Sequence, residues 1–192
     1  SDIASVVKTD LLSAISDGHE ISSHGTSHKR PLTISKDEFS QDIAHSKKTI
    51  EDTLSTEIFG YRAPCFSMNN DLLEELKNTG YQYDSSMIDF ASHPLYGGID
   101  QSSFVKRMDN VYQDGMLTEF ELPTANVFNR NIPISGGGYL RIFPWQVMKK
   151  LISNYLATHQ TYFLYIHPFE LSNKSPLSVE DAGLLRNFRF KY

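Results

Sequence analysis

The sequence predicts an α/β fold in which short parallel strands alternate with helices, and three observations predict it. Stretches with helical apolar spacing are followed by short apolar or aromatic runs at least three times, which favours βαβ units over an antiparallel sandwich. One run, Thr161 to Ile166, is almost wholly apolar and aromatic, as in a strand buried on both faces. His24, Arg62 and His167 each stand at the carboxyl end of an expected strand, where such folds place their chemistry.

Taken in order, Ile3 to Ser16 places Val6, Val7, Leu11, Ala14 and Ile15 at helical spacing, and Gly18 is a natural stop. Glu20 to Ser23 reads as a short strand running into a polar loop at His24. Ser35 followed by Glu38 is a capping box, and Phe39, Ile43, Ile50 and Leu54 then recur on one helical face. Ile58 to Tyr61 reads as a strand ending in the turn-forming Arg62-Ala63-Pro64. A third helix is expected from Asn70 to Thr79, with Leu72, Leu73 and Leu76 inward and Gly80 ending it, before a strand from Tyr81 to Ser85.

Ala91 to Gly115 has weak periodicity and reads as a long surface excursion with one short strand. Leu117 to Leu122 alternates apolar and acidic residues, a strand stopped by Pro123. Ser135 to Gly138 reads as a flexible loop. Pro144 suits the first turn of a helix with Val147, Met148, Leu151, Ile152, Tyr155 and Leu156 inward. A last short helix is expected over Val179 to Asn187.

At 192 residues the chain can bury one sizeable core, and 40% apolar with 21% charged residues is ordinary for a globular domain. A net charge of −5 argues against a nucleic-acid binder. No run approaches the roughly 18 apolar residues of a membrane span. Cys65 is the one cysteine, so no intramolecular disulfide forms. That fits a reducing compartment, and a cytoplasmic location is expected, with the envelope and periplasm left open.

His24-Gly25-Thr26-Ser27-His28 puts two imidazoles four residues apart. On a helix they share a face, and on a loop after a strand a turn brings them together. Both arrangements suit a divalent metal, and a structural role is the bland alternative. His19-Glu20 with His24 is not a zincin motif, because five residues turn a helix by about 500°. Arg62 at a strand mouth can hold a carboxylate by two hydrogen bonds, or be a surface arginine before a turn. His167 at the end of an apolar strand needs a partner and suits proton transfer, with a satisfied core histidine as the alternative. Glu170 is a loop carboxylate able to orient a neighbour. No Gly-x-Ser-x-Gly elbow, P-loop or dinucleotide fingerprint is present.

In order and spacing, GHEISSHGTSH (18–28), GYRAPCFSM (60–68), YDSS (83–86) and FLYIHPFEL (163–171) resemble the polysaccharide deacetylase family, carbohydrate esterase family four. The wording is closest to its subgroup associated with bacterial exopolysaccharide and cell-surface polysaccharide. The resemblance implies a distorted (β/α) barrel and metal-dependent hydrolysis of N-acetyl groups on a sugar. It implies a divalent metal, zinc first among them, with His24 and His28 as two ligands. Arg62 would orient a catalytic aspartate, the backbone N–H of Cys65 would help bind the oxyanion, and His167 would be the general acid. Tyr165 stands where leucine is usual.

The family's first motif, a pair of aspartates, has no match here. Asp2, Asp10 and Asp17 lie on or beside the first helix, so the base and third metal ligand stay unassigned. The expectation is one deacetylase-like domain over residues 1–192, lacking its N-terminal strand or strands. Its partner would be an N-acetylated polysaccharide or oligosaccharide. An open strand edge also leaves room for a homo-oligomer. Two other readings stay open: a non-catalytic carbohydrate-binding or scaffold protein, and another amide hydrolase on the same fold.

Overall fold

The amphipathic patterns become helices in the computed structural model, which describes residues 2–90 and 93–171. The chain divides into two units, Ser1–Glu121 and Leu122–Tyr192. The mixed α/β class expected from the sequence is the class observed.

In the first unit, α1 (Asp2–Val6) and α2 (Lys8–Ser16) replace the single expected helix. Val7 leaves helical geometry at ψ 22° and divides the two. Val6, one of the apolar residues at helical spacing, is 83% exposed, while Ala4 is buried and Leu11 and Ile15 pack against the core from its margin.

Helix α3 (Lys36–Leu54) follows its sequence signals closely. Ser35 Oγ accepts the Glu38 N–H at 3.2 Å, and Phe39, Ile43, Ile50 and Leu54 are buried. The reciprocal half of the capping box is not made, because the Glu38 carboxylate takes Lys29 Nζ at 2.6 Å. Strand β1 (Gly60–Tyr61) is followed by α4 (Asn70–Asn78), capped by the Asn69 side chain on Leu72 N–H at 3.1 Å. Leu72, Leu73 and Leu76 turn inward from it and join α3, Ile58, Tyr61, Tyr81 and Leu117 in one core.

Strands β2 (Tyr83–Asp84), β3 (Val105–Met108), β4 (Val111–Asp114) and β5 (Leu117–Phe120) complete a sheet of order β1-β2-β5-β4-β3. The β1–β2 and β2–β5 pairs are parallel, and β4 pairs antiparallel with both β5 and β3. Of the strand expected over residues 20–23, only Ser23 pairs, donating to Gly60 O at 2.9 Å and accepting from Arg62 N–H at 3.0 Å. Two strands stand in the region where one was expected. All four β3 residues are exposed, so the edge strand carries no apolar alternation to betray it.

The second unit opens with a hairpin of β6 (Thr124–Val127) and β7 (Arg130–Pro133) that the sequence does not announce. Its turn residues Phe128 and Asn129 both adopt positive φ, 50° and 61°, a conformation in which Phe replaces the usual Asn or Gly. Helices α5 (Gly138–Ile142) and α6 (Trp145–Leu156) follow. Met148 and Tyr155 are buried with Ile134, but Val147 and Leu156, expected inward, are about half exposed.

The buried strand expected over Thr161 to Ile166 is not formed. Only Tyr165 makes a bridge, to Gly136, and Leu164 and Ile166 are about half exposed. An apolar run alone supplies no sheet neighbours, and among the described residues this bridge is its one β-pairing. It also explains the glycines, since a Cβ on Gly136 would stand 2.0 Å from Tyr165 O. Residues 134–137 are buried rather than a flexible surface loop. The helix expected over Val179 to Asn187 lies outside the described residues.

Candidate active site

Two loops at the carboxyl end of the parallel strands meet in the first unit. The first leaves the Ser23 bridge and turns through Gly25 at φ +78°. Asp42, projecting from α3, fastens it: Oδ2 accepts Thr26 N–H at 2.9 Å and Oδ1 accepts Ser27 N–H at 3.0 Å. A carboxylate taking two backbone amides is a stiff anchor. The loop turns again at His28, φ +53°, and brings the His24 and His28 rings to 5.0 Å between centroids, edge to face. Both side chains are exposed.

The second loop follows β1. Arg62 lends its carbonyl to His24 Nδ1 at 2.6 Å. That contact fixes the tautomer with hydrogen on Nδ1, so Nε2 keeps its lone pair, the arrangement a metal-binding histidine requires. The Arg62 guanidinium is held along one edge, Nε donating to Ser85 O at 2.9 Å and Nη2 to Ser85 Oγ at 2.7 Å. Cys65 and Phe66 then adopt left-handed φ in succession, 56° and 51°. Such backbone in non-glycine residues costs of order 1 kcal/mol each and clusters at sites. Among the described residues, no acceptor meets the Cys65 N–H.

His167 stands in the second unit, with its side chain 54% exposed rather than in a core. Glu170 accepts the His167 amide at 2.7 Å and lies 3.3 Å from Nδ1, while Arg141 holds the other carboxylate oxygen at 3.1 Å. A carboxylate at Nδ1 favours hydrogen there and leaves Nε2 for proton exchange.

The structure thus brings His24, His28, Arg62 and Cys65 to one neighbourhood of the first unit and places His167 in the second. Asp42 and Ser85 could not be found from the sequence, because each acts through a fold contact across many residues. Glu170 was visible from its i+3 spacing to His167. Two imidazoles, one with its tautomer set, fit part of a divalent-metal site. Among the described residues no group of three His, Cys, Asp or Glu is placed to complete it.

Residues 5–83 match the polysaccharide deacetylase family, and residues 85–192 match a domain of unknown function, DUF3473. The peptidoglycan deacetylase of Helicobacter pylori (strain ATCC 700392 / 26695) is 29% identical over 85 residues, 44% of this chain and 29% of that protein. The chain spans less than a third of that relative's length. A Mycobacterium smegmatis crystal structure assigned to the polysaccharide deacetylases aligns with 62% of this chain and 37% of its own, at 25% identity and TM-score 0.47. The Xyl-CE4 domain of a multidomain xylanase from the hindgut metagenome of Trinervitermes trinervoides aligns with 46% and 42%, at 15% identity and TM-score 0.37.

Proposed function

Because this chain belongs to the polysaccharide deacetylase family, we propose that it carries the histidine and arginine part of a divalent-metal site that hydrolyses N-acetyl groups on a cell-surface or extracellular polysaccharide, including exopolysaccharide. The observation that carries this reading is the 2.6 Å bond from His24 Nδ1 to Arg62 O. It ties the two-histidine loop to the arginine loop and leaves His24 Nε2 as a ligand.

His24 and His28 are the residues that would hold the metal, zinc in this reading. When bound, a divalent cation supplies Lewis-acid polarisation of the acetamide carbonyl and of water. Arg62, fixed by Ser85, orients a carboxylate by charge and hydrogen bonding. The Cys65 N–H, aimed by left-handed backbone, donates to the developing oxyanion, a contribution of about 3 kcal/mol for one well-placed donor. We assign to His167, with Glu170 at its Nδ1, the proton that the departing amine needs. No described residue is assigned as the base or as a third ligand.

Acetate release from N-acetylated chitooligosaccharide and from peptidoglycan tests the proposal, using the protein in its full natural length. The expected result is release that stops with a chelator and falls at least about 100-fold in His24→Ala and His167→Ala. Glycan binding without acetate release, indifferent to chelator, would instead establish a carbohydrate-binding protein.

A further inference from the structure

Asp84 and Glu119 are fully buried at paired positions of the neighbouring parallel strands β2 and β5. Equal register on parallel strands sends both side chains to one face. The Ser86 N–H lies within reach of both, 3.2 Å from Asp84 Oδ2 and 3.0 Å from Glu119 Oε1. Glu119 Oε1 also accepts Met87 N–H at 2.8 Å. The Ser86 hydroxyl donates to Asp84 Oδ1 at 2.8 Å and accepts the Ala63 N–H at 2.8 Å, reaching the backbone between Arg62 and Pro64. Next to it, Ser85 holds the Arg62 guanidinium and donates its own hydroxyl to Phe120 O at 3.0 Å.

Glu119 Oε2 is the one carboxyl oxygen of the pair that meets no N–H or serine O–H among the described residues. Two adjacent buried carboxylates cannot both ionise, so the oxygen lacking a donor is the one that carries hydrogen and turns it to Asp84. The other titratable groups facing the pair come from the end of β1. The Arg62 cation favours the Asp84 anion, and Tyr61 is kept neutral by burial and by Asp84. Burial pushes Asp84 up to about 6 and Glu119 well above the carboxylate range, in the same sense.

We propose that Asp84 and Glu119 form a carboxyl pair holding one proton, whose role is to position the Arg62–Cys65 loop through Ser86. These are positioning residues. Only their catalytic readout rests on the deacetylase reading.

Glu119→Gln and Asp84→Asn test the pair. Glutamine keeps an acceptor for Ser86 and Met87 and donates where the acid did, without a proton to lose. Because a raised carboxyl pKa stabilises the fold at low pH, the parent should lose melting temperature as pH rises through the pair's upper titration. Glu119→Gln should flatten that loss and keep kcat within about threefold. Asp84→Asn should speed hydrogen exchange at the Ala63 amide about 10-fold and lower kcat about 10-fold at near-parental KM. A parental pH slope in Glu119→Gln, or an unchanged Ala63 amide in Asp84→Asn, would overturn the proposal. Should Asp84→Asn not fold, the Glu119→Gln pH profile decides. A parent that releases no acetate removes the deacetylase reading, while melting and exchange still decide the pair.

Discussion

At the scale of single residues, the candidate site depends on side chains that hold its loops in place. Asp42 is the clearest, because it converts a polar loop into a fixed perch for His24 and His28. Gly25 makes that approach feasible: a Cβ there would lie 2.7 Å from Asp42 Oδ2, on backbone at φ +78°. Gly25→Ala should therefore destabilise the fold by more than about 1 kcal/mol and weaken zinc binding, read by denaturant titration and calorimetry. An alanine as stable as the parent would show that the loop is not held as described. The two histidines were legible from their spacing, whereas Asp42 lies on a helix face that reads as ordinary solvated charge. Nothing local announces that it will meet Thr26 and Ser27.

At the scale of elements, helices were more legible than strands. Helix α3 carries its start signal and its apolar stripe within its own sequence, and both operate in the structure. Ser35→Ala removes the cap on Glu38 N–H and should cost about 1 kcal/mol, measured as a lower unfolding midpoint at unchanged slope. The strands are two to four residues long, and their pairing depends on partners distant in the chain. Thr161 to Ile166 shows the failure most clearly. Its composition suits a buried strand, yet among the described residues its one β-bridge is that of Tyr165, and the close approach to Gly136 explains a glycine run that read as flexibility. The β6–β7 hairpin was hidden for the opposite reason: its turn uses Phe128-Asn129 where Asn-Gly would have signalled it.

At the scale of the whole molecule, the order of short motifs said more than any element. Four stretches distributed from residue 18 to residue 171 indicated the family to which the chain belongs, although the strands between them were only partly readable. The fold accounts for part of that order: the Ser23 bridge and β1 run parallel, so the loops that leave them emerge at one end and meet through His24 and Arg62. What remained illegible was the acid chemistry beneath the loops. The YDSS stretch was recognisable, but the sequence could not show Asp84 in register with Glu119, since register is a property of the assembled sheet. Metal content decides whether the loop of His24 and His28 binds the catalytic metal. Protein of full natural length, purified and reconstituted with zinc, should hold close to one metal per chain, and His24→Ala should lose it. A folded protein that takes up no metal, or one that keeps it in both His24→Ala and His28→Ala, would contradict the account.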